Sequence, residues 1–296
     1  MIFRALIAGF LALVSISASA DYPPSFDAAK RQVWQIYKDN RFDQYCGCAL
    51  GSRNAPDLAS CGYTPRKNAK RASRTEIEHV VPAENLGRQF ACWRQGGRDH
   101  CNATDPAFRD AHNDLVNLIP VVGEVNGDRS NFRFDELPGG YGQYGQCQFK
   151  VDFATRRAEP PPSMKGDIAR IHFYMRDRHG LKLSSQQERL LSIWDRQDPV
   201  SEWEKIRDSR IYKLQGFSNN YVSGRRAEQV FHNSSPEQPA FSAGPVVAQG
   251  SGDFSCERKT CKAMTTCAEA RHQLQVCGNR SLDRDGDGTP CEALCR

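Results

Sequence analysis

Thr75-Glu76-Ile77-Glu78-His79-Val80-Val81-Pro82 is the stretch on which the reading of this chain turns. Its β-branched residues and closing proline mark a short strand. Side chains alternate along a strand, so Glu76 and Glu78 share one face and His79 projects from the other. An imidazole next to a carboxylate suits chemistry at a phosphodiester, which needs a group to take a proton from water and a cation to offset charge on the phosphate. The same residues would also suit a solvated strand with no chemistry, so the flanking sequence has to decide.

Downstream, Cys92-Trp93-Arg94-Gln95-Gly96-Gly97-Arg98 sets two arginines beside a Gly-Gly turn where backbone can approach a ligand closely. Then comes Asn117-Leu118-Ile119-Pro120-Val121-Val122-Gly123-Glu124-Val125-Asn126-Gly127-Asp128-Arg129-Ser130-Asn131. Asn126 offers a neutral carbonyl oxygen suited to a hard cation such as Mg²⁺. Pro120 is predicted to open a helix running through Val121 and Val125, against the weakening effect of Gly123 and Gly127. Apolar spacing predicts further helices over Phe26 to Tyr37, Ile168 to Met175, Gln186 to Trp194 and Val200 to Leu214, the last with Trp203, Ile206 and Ile211 facing inward. The fold class is therefore α+β, mixed and mainly helical.

Towards the N-terminus, Arg4, the apolar run from Ala5 to Ile16 and Ala18-Ser19-Ala20 have the form of a cleavable export signal over residues 1–20. The apolar run is short for a bilayer span, and no other stretch is long and apolar enough. The mature chain is expected to begin near Asp21 and to reside in the periplasm or outside the cell. Residues 21–222 form the large segment. A stretch over 223–253, rich in Ser, Pro, Gly, Ala and Gln, reads as a linker that cannot bury a core. A small, cysteine-dense module fills 254–296.

The cysteines follow this division. Cys46, Cys48, Cys61, Cys92, Cys101 and Cys147 lie in the large segment; Cys256, Cys261, Cys267, Cys277, Cys291 and Cys295 lie in the small one. Even counts in an exported chain imply disulfides closed within each segment, and Cys92 and Cys101 are near enough in sequence to bridge a loop. A zinc site is the weaker reading, because the spacings fit no common knuckle. The formal charge is +5, and nearly all of the excess lies between Asp21 and Val222. A basic face there favours a polyanion such as nucleic acid.

Glu-His-Val-Val-Pro from Glu78, Cys-Trp-x-x-Gly-Gly-Arg from Cys92, Asn-Leu-x-Pro from Asn117 and Gly-Glu-Val-Asn-Gly-Asp-Arg-x-Asn from Gly123 together resemble the periplasmic or secreted endonuclease I family. The likeness extends from Tyr45-Cys46-Gly47-Cys48 to Arg210-Ile211-Tyr212-Lys213-Leu214-Gln215-Gly216 and covers roughly the whole large segment. It implies a ββα-metal (His-Me finger) site cutting DNA, with RNA as a second candidate, to 5′-phosphate and 3′-hydroxyl ends. His79 matches the general base, Glu78 and Asn126 the ligands of one Mg²⁺, and Arg98 the arginine that holds a phosphate. Two positions depart from the pattern: Val116 stands where the family carries His, and Glu84 where it carries an aromatic residue. The remaining histidines, His100, His112, His172, His179, His232 and His272, are assigned surface or structural roles.

The small module holds Asp283, Asp285 and Asp287 at alternate positions before Gly288, the opening of an EF-hand-like loop, with Glu292 as the candidate closing ligand. With Cys277-Gly278-Asn279-Arg280 it resembles the extracellular excalibur region, which implies Ca²⁺. Two rival readings stand beside a DNase. One is a ribonuclease or sugar-nonspecific nuclease; the other is a calcium-dependent surface or matrix protein whose nuclease domain is inert.

Overall fold

The computed structural model describes residues 21–224, 255–283 and 290–295. The segments read as export signal and linker lie outside the described residues, apart from Ser223 and Gly224. The chain divides into two compact units, one within residues 1–228 and one within 229–296.

The first unit runs α1 (Phe26–Ile36), α2 (Ala69–Ala72), β1 (Thr75–His79), α3 (Ala83–Gly87), α4 (Gly97–Thr104), α5 (Pro106–Asn113), β2 (Leu118–Val122), α6 (Gly123–Arg129), β3 (Arg133–Phe134), β4 (Lys150–Asp152), β5 (Arg157–Glu159), α7 (Lys165–His179), α8 (Ser185–Gln197), α9 (Glu202–Gln215) and α10 (Asn220–Ser223). Two small sheets result. β1 pairs antiparallel with β2, and a second sheet has the order β3-β5-β4, with β3 parallel and β4 antiparallel to β5. Every residue of β2 is buried, so this strand runs through the core with Val33, Val80, Val125, Ile168 and Ile211 around it.

The predicted helices over 26–37, 168–175 and 186–194 are present, the latter two longer than the apolar spacing indicated. Helix α1 begins where the Ser25 hydroxyl accepts from the Ala28 N–H. Two expectations need correction. Pro120 lies in the middle of β2 and opens no helix; the helix starts at Gly123. The Pro120 carbonyl turns away from β1 to accept from the Gln44 N–H at 2.9 Å, so the proline's missing donor also falls on the side β1 does not use. In α9, Ile206 is exposed rather than inward-facing. The buried stripe of that helix is Glu204, Arg207, Asp208, Ile211 and Gln215. Its polar members satisfy buried partners: Glu204 takes Arg170 from α7 at 2.6 and 2.8 Å, and Arg207 donates to the Leu115, Val116 and Leu118 carbonyls.

The second unit carries α11 (Cys267–Gln275) and α12 (Glu292–Cys295) around Met264, Ala270, Leu282 and Cys291. All twelve cysteines are paired. Cys46–Cys147, Cys48–Cys61 and Cys92–Cys101 close within the first unit; Cys256–Cys277, Cys261–Cys291 and Cys267–Cys295 close within the second.

Candidate active site

β1 and β2 pair in register from Thr75↔Val122 to His79↔Leu118. Past the strand end the Asn117 side chain continues the ladder, accepting from the Val81 N–H at 2.7 Å and donating to the Val81 carbonyl at 2.9 Å. α6 follows β2 without a loop. A Cβ on Gly123 would lie 2.6 Å from the Arg71 carbonyl oxygen, so a glycine is needed for the helix to start against that backbone. The Glu124 carboxylate then accepts from Tyr63 Oη and from the N–H groups of Arg66, Lys67 and Asn68, while Asp128 takes both Arg66 Nε and Nη2 at 2.9 Å. These two acids fasten one side of α6 to the 63–68 loop.

The other side of α6 meets β1. Asn126 and Arg129, three residues apart, share a helix face. Asn126 Nδ2 donates to Glu76 Oε2 at 3.0 Å, which leaves its Oδ1 for another partner. Arg129 is fully buried and grips the end of β1: Nη1 donates to Glu78 Oε1 and to the His79 carbonyl, both at 2.9 Å, and Nη2 donates to the Val80 carbonyl. Burial alone would raise the Glu76 carboxyl, but hydrogen bonds from Arg71 and Arg74 outweigh it and hold the group below the usual range. Glu76 is thus a structural anion that orients Asn126.

Glu78 is different. It is 3 % exposed, and burial pushes its carboxyl up to about 7 even though Arg129 and Tyr45 Oη at 3.4 Å favour the charged form. Among the described residues no hydrogen bond reaches Oε2. The open Glu78 oxygen on β1 and the open Oδ1 of Asn126, whose amide is anchored on Glu76 two residues away in that strand, are both hard oxygen donors. Such a pair fits a divalent cation that keeps water or phosphate in its remaining positions.

His79 Nε2 lies 2.8 Å from the backbone carbonyl oxygen of His112 on α5. A carbonyl only accepts, so Nε2 carries the proton and Nδ1 holds a lone pair. The His79 ring stacks on His112 at 4.5 Å and 8°, with Phe26 of α1 at 4.9 Å. Burial, followed by the neighbouring His112, keeps His79 well below the usual histidine range. Burial and then Arg98 bring His112 down to about 4. Both rings are neutral at pH 7.

Arg98 stands exposed in the first turn of α4 and has no hydrogen-bond or ion-pair partner among the described residues, yet its charge is felt at both His79 and His112. It is placed there by Gly96 and Gly97, both at positive φ, and by the Cys92–Cys101 bridge around the turn. Arg98 thus lies within electrostatic reach of His79, while from one face of α6 Asn126 is tied to Glu76 and Arg129 to Glu78.

Sequence reasoning missed Arg129, Tyr45, Glu76 as an orienting group, and His112. Arg129 was within reach, since it falls three residues after Asn126 in a helix. His112 and Tyr45 are each 33 residues from their partners in β1, and no local pattern points to them. The two departures are accommodated: Val116 is fully buried in the core, and Glu84 pairs with Arg88 and accepts from Asn131 Nδ2 at 2.7 Å.

The family model of Endonuclease I matches residues 15–225. The chain belongs to the endonuclease I family. Among its relatives, an extracellular deoxyribonuclease of Aeromonas hydrophila is 47 % identical over 225 residues, covering 74 % of this chain and 97 % of that protein. A periplasmic deoxyribonuclease of the same organism is 44 % identical over 72 % of this chain and 92 % of its own length. Endonuclease-1 of Buchnera aphidicola (subsp. Baizongia pistaciae) is 44 % identical over 68 % and 84 %. The resemblance of the motifs around His79 thus holds across the whole first unit of this endonuclease I family member. Residues 258–292 match the Excalibur calcium-binding domain. Of the expected calcium ligands, Asp283 lies among the described residues and Glu292 opens α12, whereas Asp285 and Asp287 lie outside them. Cys256, His272 and Cys277 also cluster at metal-ligand distance, but the two thiols are joined as a disulfide and cannot ligate.

Proposed function

We propose that this endonuclease I family member is an exported endonuclease that hydrolyses DNA, and RNA as a second substrate, through a ββα-metal site built from β1, β2 and α6. His79 is the general base, and its Nδ1 takes the proton of a water whose oxygen attacks phosphorus. The bond from phosphorus to the 3′ oxygen breaks, and that oxygen takes a proton from solvent water, leaving a 5′-phosphate and a 3′-hydroxyl. Arg98 holds a phosphate oxygen by a charge-assisted hydrogen bond. Glu78 and Asn126 are the protein ligands of one Mg²⁺. When bound, that ion acts as a Lewis acid on the phosphate and its leaving oxygen. Arg129 and Glu76 hold the two ligands in place. Contacts made mainly to phosphate imply little sequence preference.

The observation that carries this reading is the hydrogen bond from His79 Nε2 to the His112 carbonyl, because it selects the tautomer whose free Nδ1 can act as a base within electrostatic reach of the unpaired Arg98. Export and removal of residues 1–20 are supported by the signal-like N-terminus and by the extracellular and periplasmic names of the relatives. The second unit binds Ca²⁺ through Asp283, Asp285, Asp287 and Glu292, on the strength of their spacing and the matching domain.

His79→Ala tests the site. Plasmid cleavage should fall by roughly 10²–10⁴ in kcat while DNA binding in EDTA changes little, since a base acts on the transition state rather than on affinity. Undiminished cleavage would remove His79 from the mechanism.

A further inference from the structure

A cavity of about 240 Å³ opens beside the strand that carries His79. Val81, two residues beyond the base, lines it, as does Arg129, which grips Glu78. Its other polar lining includes Arg88, Arg133, Lys182, His172 and Gln187, and no carboxylate. The cations are unevenly neutralised. Arg88 is paired with Glu84, and Arg133 meets Asp135 only at 3.7 Å. Lys182 has no ion pair among the described residues. The rim is therefore net positive and suits an anion.

The buried part of the lining has a different character. His172 on α7 is 6 % exposed, and its Nδ1 donates to the Ile168 carbonyl at 2.8 Å. Burial brings its ionisation down to about 4, so at pH 7 the ring is neutral and Nε2, on the opposite edge, is an acceptor. That nitrogen has no hydrogen-bond partner among the described residues. A cavity with exposed cations and a buried acceptor asks for a ligand with an anion at one end and an N–H or O–H donor at the other. Inorganic phosphate carries its charge and its acidic O–H on one centre. A nucleoside phosphate satisfies both.

We propose that this cavity is a subsite for one nucleotide, its phosphate held by Arg133 and Lys182 and a sugar hydroxyl or base N–H donated to His172. This inference rests on the nuclease reading. Its occupant is either a nucleotide of the bound strand next to the scissile bond or the 5′-phosphorylated terminal nucleotide of a product strand.

Binding measured by calorimetry in EDTA, where no chemistry occurs, separates the possibilities. The wild-type protein is expected to bind thymidine 5′-monophosphate more tightly than inorganic phosphate or thymidine, with the His172 imidazole NMR signals moving only for the nucleotide. The exposed double substitution Arg133→Ala/Lys182→Ala should weaken nucleotide binding roughly tenfold, and Lys182→Arg alone should retain it. If a strand nucleotide sits here, the double variant should also lower the salt dependence of oligothymidylate binding by about one phosphate contact. An unchanged slope with weakened mononucleotide binding assigns the cavity to product. Equal affinity of wild type and double variant for the nucleotide, or equal affinity of the wild type for nucleotide and phosphate, overturns the proposal. Loss of the nuclease reading would show separately, as a wild-type protein that binds but cleaves no plasmid when Mg²⁺ is restored.

Discussion

The two units of the chain hold their shape by different means. In the first, β2 is buried along its whole length, and ion pairs such as Arg129–Glu78 and Arg170–Glu204 are packed inside the fold. In the second, the buried hydrophobic cluster among the described residues is Met264, Ala270, Leu282 and Cys291, crossed by disulfides that span 21, 30 and 28 residues. Two buried polar side chains pack beside it: Gln273 donates to the Ser255 and Glu257 carbonyls, and Asn279 to that of Lys259. A segment this short cannot offset its conformational entropy with apolar burial, so cross-links that restrict the unfolded chain take over that role. The first unit has apolar burial in excess, and can therefore tolerate a buried carboxylate at Glu78 and the neutral histidines His79 and His112.

Reduction should draw the largest contrast. Each disulfide of the second unit contributes about 2–4 kcal/mol, so reducing agent should unfold residues 255–295 entirely, read as loss of calcium binding and collapse of their amide NMR dispersion. A reduced module that stays folded would break the comparison. Next in size, Leu118→Ala, opposite His79 in the register and fully buried, should cost about 2–5 kcal/mol. Calorimetry should show the nuclease transition moving down while that of the module stays in place; a joint shift would mean the units fold as one.

Acid sensitivity is a smaller effect and belongs to the first unit. His112 and His172 are brought down to about 4 by burial. Between an unfolded value of about 6.5 and that folded value, the unfolded chain binds protons that the folded one does not. Their stabilisation is thus full above about pH 6.5 and is lost as pH falls towards 4. Glu78, raised to about 7, acts in the opposite sense, gaining stability as pH falls below 7. Comparing His172→Gln with wild type isolates one group. The stability gap between them should narrow by roughly 2–3 kcal/mol from pH 7 to pH 4.5, and a constant gap would exclude the assignment. Smallest of all, truncation after Gly250 should leave plasmid cleavage within about twofold, because the proposed groups Glu78, His79, Arg98 and Asn126 all precede that point, while removing calcium binding.

Much of the first unit was legible in order along the chain. The strand over Thr75–His79, the long C-terminal helices and the grouping of cysteines follow from periodicity, β-branching and even counts, all of which are local signals. The errors came where a tertiary neighbour outvoted a local preference. Pro120 reads as a helix opener until Gln44 is seen to take its carbonyl, and Ile206 reads as core until Glu204 and Arg207 are seen to face buried partners. His112 carried no signal at all, since its role is a backbone carbonyl and a ring face presented to His79.

By itself the sequence determined which chemical groups are available, their order, and which of them share a strand face or a helix turn, because those relations depend only on residue type and a fixed backbone period. Only the tertiary structure decided which imidazole nitrogen is free, which carboxylate is neutralised by arginine and which keeps an open oxygen. Those properties are set by burial and by partners tens of residues away, and no local period encodes them.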